Sequence, residues 1–177
     1  MDNSSAITLR RAEPDDVPAI AGILIDTWRR TFRGLLPDSF LNELSEAVQI
    51  DRYRKRMALK EHICSVALKQ SGEFVGFVSA GPWRHTGPTV YPYELYAFYV
   101  KQHAQGIGLG RALFQAMATS IQFVGGGGLM VWVLENNPHR GFYQHLGGRE
   151  FTRASVSLSG QNFTEIAYGW SEQPSPP

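Results

Sequence analysis

At 177 residues, with 43% hydrophobic and 12% aromatic content, the chain is long enough to bury one sizeable core and falls in the single-domain range. Seventeen Lys and Arg against sixteen Asp and Glu leave a formal charge of +1, which removes any electrostatic reason to expect a nucleic acid or an anionic membrane as partner. The single cysteine, Cys64, lies in the apolar run from Ile63 to Leu68, which excludes an internal disulfide and reads as a buried thiol in a reducing, cytoplasmic setting.

In chain order, residues 1–6 are polar and expected to be disordered, with no basic region leading into an apolar stretch, and no later run is long enough to span a bilayer. Ile7 to Arg10 reads as a first strand. Glu13-Pro14-Asp15-Asp16 then places a proline and carboxylates where a helix N-terminus favours them. Val17, Ile20, Leu24 and Trp28 recur every three or four residues and give one apolar helix face, stopped by Gly34 and Pro37. Asp38 is a candidate cap for a second helix through Phe40, Leu41 and Leu44. The basic run Arg52, Arg54, Lys55, Arg56, Lys60 suggests a solvated helix face.

Ile63 to Leu68 and Phe74 to Ala80 flank Ser71-Gly72 and predict a hairpin. Gly81 to Tyr93, rich in Pro, Gly and aromatics, predicts a loop able to line a pocket, and Glu94 to Val100 a buried strand. Leu113, Ala116, Met117, Ser120, Ile121 and Val124 keep helical spacing until Gly125 to Gly128 terminates it. Leu129 to Leu134 predicts a strand, Pro138 to Leu146 a short helix closed by Gly147, and two strands follow near 151–158 and 163–170. The tail, 171–177, is expected to be disordered. One domain over 7–170 is expected, an α/β (α+β) fold with helices on both faces of one sheet.

Gln105-Gly106-Ile107-Gly108-Leu109-Gly110 stands between the buried strand and an amphipathic helix, where backbone N–H groups and the helix N-terminus can converge on an anion. A dinucleotide fingerprint would need glycine at Arg111, and a P-loop would need Gly-Lys-Ser/Thr, so both rivals weaken. An anion loop and a plain structural turn both fit these residues alone.

The motif resembles the main signature of the GNAT superfamily of N-acetyltransferases, Gln/Arg-x-x-Gly-x-Gly/Ala after a buried strand. A second similar block is Trp132-Val133-Leu134-Glu135-Asn136-Asn137-Pro138 followed by Gly141-Phe142-Tyr143-Gln144-His145-Leu146-Gly147-Gly148. The segment from Trp28 to Pro37 is also similar, so the resemblance runs from about Ile7 to Trp170. It implies a GNAT fold, a central mixed twisted sheet of about six or seven strands flanked by about four helices. It also implies acetyl-CoA as cofactor and an amine as acceptor.

What it implies residue by residue is as follows. Phe98, Tyr99 and Val100 offer backbone to the pantetheine arm, while also serving as buried sheet residues. The loop Gln105, Gly106, Ile107, Gly108, Leu109, Gly110, with Arg111 next in line, holds the pyrophosphate. Tyr143 donates a proton to the coenzyme A sulfur. Asn137 before Pro138 suits a helix N-cap as well as a cofactor contact, and Arg140 is either a phosphate ligand or an exposed helix arginine. Glu94 is either the base that deprotonates the ammonium, directly or through water, or an exposed strand-end residue, with His85 and His103 as alternative bases. Trp28, Phe32, Trp83, Tyr91, Tyr93 and Tyr96 are candidates for acceptor-pocket walls or plain core.

The expected partner is a small-molecule amine or peptide acceptor, with no nucleic acid, no membrane and no metal; a homodimer stays open. Two rival classes remain: a non-catalytic acyl-CoA-binding regulator, against which Tyr143 argues, and a nucleotide-binding oxidoreductase, against which Arg111 argues.

Overall fold

The computed structural model describes residues 6–84 and 89–171; His85 and nearly all of both terminal segments lie outside them. The elements are β1 (Ile7–Arg11), α1 (Val17–Thr31), α2 (Asp38–Glu43), α3 (Glu46–Met57), β2 (Ile63–Lys69), β3 (Phe74–Pro82) and β4 (Tyr93–Val100), then α4 (Leu109–Phe123), β5 (Leu129–Leu134), α5 (Gly141–His145), β6 (Arg149–Leu158) and β7 (Gln161–Trp170). The strands form one seven-stranded mixed sheet in the order β1-β2-β3-β4-β5-β7-β6. The described residues hold five α-helices rather than the expected four or so.

Local chemistry accounts for the boundaries. Pro14–Asp16 makes a 3₁₀ turn in which Asp16 accepts from the Glu13 amide at 2.8 Å and pairs with Arg10, so burial of that carboxylate is compensated. α1 follows directly. Pro37, not Asp38, is the N-cap of α2; Asp38 is its first helical residue, where a carboxylate favours the positive end of the helix. Ser45 caps α3 through the Val48 amide. The helix expected over Pro138–Leu146 is shorter: Pro138 to Arg140 form a turn and α5 starts at Gly141.

Two apolar cores sit on opposite faces of the sheet. Leu113, Met117 and Ile121 of α4 pack on Val78, Leu95, Val131 and Ile166, while Val17, Ile20 and Leu24 of α1 and Tyr53 of α3 pack on Val66 and Phe77. Each fully buried aliphatic or phenylalanine side chain contributes about 1.5–3 kcal/mol to that packing. A third, smaller cluster joins Phe32, Leu36 and Leu41 to Leu134.

The feature that positions the site is a divergence between β4 and β5. Their parallel pairing covers only Tyr93–Leu95 with Leu129–Val131. At the same point the β3–β4 register shifts, with Ser79 opposite Ala97 but Ala80 opposite Leu95, so Tyr96 is an extra, bulged residue. A bulge bends its strand, and beyond it β4 keeps β3 as partner while β5 stays with β7 along its whole length. The backbone of Tyr96 to Val100 therefore faces a cleft on its β5 side. Gly81 makes room for the bulged ring, because a Cβ there would meet the Tyr96 hydroxyl at 2.7 Å.

Candidate active site

The glycine loop lies at the mouth of this cleft. Gly106 (φ 78°) and Gly108 (φ 83°) are left-handed, a conformation that costs side-chain-bearing residues energy. The Gln105 side-chain Nε2 donates to the Val100 carbonyl at 2.8 Å and ties the loop to the end of β4. Gly108 is the N-cap of the fifteen-residue α4 and supplies no side chain to the first-turn N–H groups. Those donors, with the helix dipole behind them, suit a phosphate.

A cavity of about 410 Å³ runs from this loop along β4. Phe98, Tyr99, Val100, Gln105, Gly106, Gly108, Gly110, Arg111, Asn137 and Tyr143 line it, as the sequence pattern suggests. Three expected cofactor residues do not. The Leu109 side chain is buried in the core under α4, Ile107 is exposed, and Arg140 lies outside the lining, where its neighbour His139 takes its place. Thr27, Thr31 and Phe32 close the α1 side. Gly110 packs against Phe142, whose ring lies 3.1 Å from where a Cβ would be, and Phe142 stacks on Phe98 at 5.2 Å. Asn137 caps its turn, accepting from the His139 amide at 2.8 Å, and lines the cavity as well.

A second cavity, of about 220 Å³, opens on the face of the sheet opposite α4. Trp28, Phe32 and Tyr96 line it, together with Arg84, Trp132 and Glu165. Tyr93 belongs to the other face, packing against the α4 core with its hydroxyl donating to the Val124 carbonyl at 3.2 Å; Trp83 is not in the lining, and Tyr91 packs on Phe151 instead. The two cavities meet, since Phe32, Phe98, Tyr99, Asn137 and Tyr143 border both.

Tyr143 sits at that junction on α5, and among the described residues its hydroxyl has no hydrogen-bond partner. Burial pushes its pKa up, and the neighbouring Tyr99 adds to the shift, so the phenol keeps its proton at neutral pH. Tyr99 is raised to about 12, chiefly by burial. Its oxygen accepts a hydrogen bond from the Trp28 indole N–H, which leaves the Tyr99 proton free to be donated elsewhere.

Glu94 departs from both expectations. It is neither an exposed strand end nor a free base, being 0% exposed with both oxygens on the Arg84 guanidinium and one also accepting from the Arg84 amide at 3.2 Å. Burial acts to lower the Arg84 pKa, but the hydrogen bond and charge of Glu94 outweigh it and the pKa is raised. Arg84, 48% exposed in its side chain, is the member of the pair that reaches the cavity. His103 pairs with Glu73 at 3.2 Å and lines neither cavity, and His85 lies outside the described residues.

Sequence reasoning missed Arg84, Glu165, His139 and the two α1 threonines. Strand periodicity puts Glu165 on the face opposite Ile166 and Tyr168, but only sheet order brings that face to the cleft. Among the described residues, no group of three or more His, Cys, Asp or Glu is placed to hold a metal ion.

The strand divergence and the glycine loop that caps α4 open one continuous cleft, and comparison with known proteins identifies the family that carries it. The model of the acetyltransferase (GNAT) family matches residues 24–148, and the chain belongs to that family. It is 33% identical over 164 residues to the uncharacterized N-acetyltransferase YuaI of Bacillus subtilis, covering 93% of this chain and 92% of that protein. Among solved structures, YncA of Salmonella typhimurium with its cofactor acetyl-CoA superposes with a TM-score of 0.71 at 20% identity, covering 94% of each chain. The PaiA N-acetyltransferase of Thermoplasma acidophilum in complex with coenzyme A superposes with a TM-score of 0.65 at 13% identity, over 91% of this chain and 98% of that one. Both share the fold.

Proposed function

We propose that the protein transfers an acetyl group from acetyl-CoA to a primary amine by direct attack within a ternary complex. The observation that carries this reading is the junction of the two cavities at Tyr99 and Tyr143: one cavity starts at an anion-suited loop, the other opens on the opposite face of the sheet. Bound acetyl-CoA would supply the activated acetyl group, and the residues at hand fit it. The N–H groups at the start of α4 suit its pyrophosphate, and the open edge of β4 suits the amide-bearing pantetheine arm.

With the thioester at the junction, an amine in the smaller cavity would be held close to the carbonyl, which removes most of the entropic cost of the encounter. Backbone N–H groups near Tyr99 would polarise that carbonyl, and Tyr143 would protonate the departing sulfur. Buried Tyr143 is suited to the second role because its phenol holds its proton at neutral pH and so has one to give as the C–S bond breaks. Glu94 acts at one remove in this reading, holding Arg84 in the cavity wall.

The test is Tyr143→Phe. It is expected to lower kcat about 10²-fold with little change in KM, while acetyl-CoA still raises the melting temperature. Turnover at the wild-type rate across the pH range would assign the proton elsewhere. A wild-type protein whose melting temperature ignores acetyl-CoA would remove the cofactor reading itself.

A further inference from the structure

α4 packs chiefly on β2 and β3, and between its outer side and the edge strand β1 a third cavity of about 410 Å³ remains. It shares no lining residue with the two cavities already described. Its helix wall is low and apolar. Ala116 and Ser120 are small residues one turn apart, the Ser120 hydroxyl is spent on the Ala116 carbonyl at 2.9 Å, and Phe123 and Val124 form the rim. Phe123 is 87% exposed, an aromatic ring left in water beside the groove.

The strand wall has the opposite character. Arg11 pairs in register with Ser65, and strand alternation puts both on the α4 face with Leu9 and Ile63. Ser65 is only 7% exposed, yet its hydroxyl has no hydrogen-bond partner among the described residues, so its donor is left for whatever fills the cavity. Arg11 and Lys60, the last of the basic run that follows from α3, border the same space. Neither makes an ion pair or a side-chain hydrogen bond among the described residues. Arg10, the third cation there, is already neutralised by Asp16, and no described carboxylate lines the cavity.

We propose that this cavity is a second ligand site, which takes an amphiphile with one anionic head, a carboxylate or a phosphate monoester, on a hydrocarbon chain. The head sits against Arg11, Lys60 and Ser65, and the chain lies over Ala116 toward Phe123. Arg11 offers a planar fork that matches either head, and Lys60 adds a point charge. The orientation follows from α4 as well, because its carbonyl end carries partial negative charge and repels an anion from the Phe123 end. The cavity falls in the size range of small-molecule sites, and its two walls suit the two ends of such a ligand. The site does not depend on the acetyl-transfer reading above.

The experiment titrates octanoate and monooctyl phosphate into the full chain by calorimetry, with and without coenzyme A, and octan-1-ol as the uncharged control. The anionic probes are expected to bind about tenfold or more tightly than the alcohol, and the better of the two names the head. Arg11→Glu and Lys60→Glu, at exposed positions, should each weaken the anionic probes about tenfold or more and leave the alcohol unchanged. Ala116→Trp fills the groove and should abolish binding of all three; should it fold poorly, the two charge reversals still decide. Coenzyme A should leave every affinity unchanged, since the cavities have no residue in common.

No binding of either anion, equal affinity for octan-1-ol, or affinities untouched by both charge reversals would overturn the proposal. So would displacement of the anions by coenzyme A, which would put them in the cofactor cavity. A dimer in light scattering that Phe123→Ser converts to monomer would also overturn it, by putting a second copy of the chain in the groove.

Discussion

At the scale of single residues, the Arg84–Glu94 pair separates two roles that the sequence alone leaves together. A general base needs a carboxylate that substrate or water can reach, whereas Glu94 is sealed with its oxygens on one guanidinium. Its removal should therefore be felt first as stability. Breaking a buried pair typically costs about 3–5 kcal/mol, and half-exposed Arg84 can recover hydration, so Glu94→Gln is expected to cost about 2 kcal/mol in urea unfolding. Its effect on acetylation should be the same fraction for strongly basic alkylamines and for anilines, since Arg84 would be misplaced for both. A fully stable variant that loses activity only toward the strongly basic amines would restore Glu94 as the base. Trp28 shows the same dependence on surroundings: an apolar-face residue by spacing, it also orients the Tyr99 hydroxyl through its indole N–H.

At the scale of elements, α4 and the loop before it carry the proposed cofactor site. Left-handed Gly106 and Gly108 set the turn of the loop and the Gln105 side chain fixes it to β4, which is the rigidity the proposed anion site requires. No atom lies within 4 Å of where a Cβ on Gly108 would be, so a side chain there meets no protein neighbour, but it must adopt a positive φ and would project toward any bound phosphate. Gly108→Val is expected to keep a cooperative unfolding transition with a stability loss of about 1–2 kcal/mol. The rise in melting temperature on adding acetyl-CoA should disappear. A wild-type acetyl-CoA affinity in this variant, measured by calorimetry, would place the pyrophosphate elsewhere. The bulge at Tyr96 is the matching device on β4, because ending the pairing with β5 is what leaves strand backbone open along the cleft.

For the whole molecule, no helix of the described residues is long and apolar enough to cross a membrane. The sheet is sealed by a core on each face, and one buried polar group in it makes stability depend on acid. His62 bridges to Ser79 at 2.8 Å and stacks on Tyr96 at 6.2 Å; its pKa is lowered to about 4, first by burial, then by the positive charges of Arg56 and Arg11. Above its ordinary value of 6.5 the ring is neutral both folded and unfolded, and pH has no purchase on it. As pH falls from there to about 4, the unfolded chain takes up a proton that the folded chain refuses, so stability drops. The expected loss is about 2 kcal/mol after allowance for partial solvation. Urea midpoints measured between those pH values should fall in the wild type and stay flatter in His62→Gln. Equal slopes would show that His62 does not drive the acid sensitivity.

What the sequence determined by itself is what local rules encode. Apolar spacing gave α1 and α4, paired β-branched runs gave the β2–β3 hairpin, and Gln105 to Gly110 is legible as a glycine turn opening a helix because glycine conformations and a helix N-terminus are properties of adjacent residues, while the anion role came from the resemblance. Tyr143 was legible through the resemblance of its surrounding motif, and the structure puts it where two cavities meet. Only the tertiary structure decided which residues line the second cavity. Glu165 is 71 residues beyond Glu94 in the chain, and it is sheet order that brings β7 beside β5 and the cleft. Tyr93 and Tyr96 look equivalent in sequence, yet one packs under α4 and the other walls the cavity. Glu94 reads as a strand-end carboxylate until Arg84 folds over it. Burial, facing and charge pairing are relations between distant segments, and no spacing rule along one chain carries them.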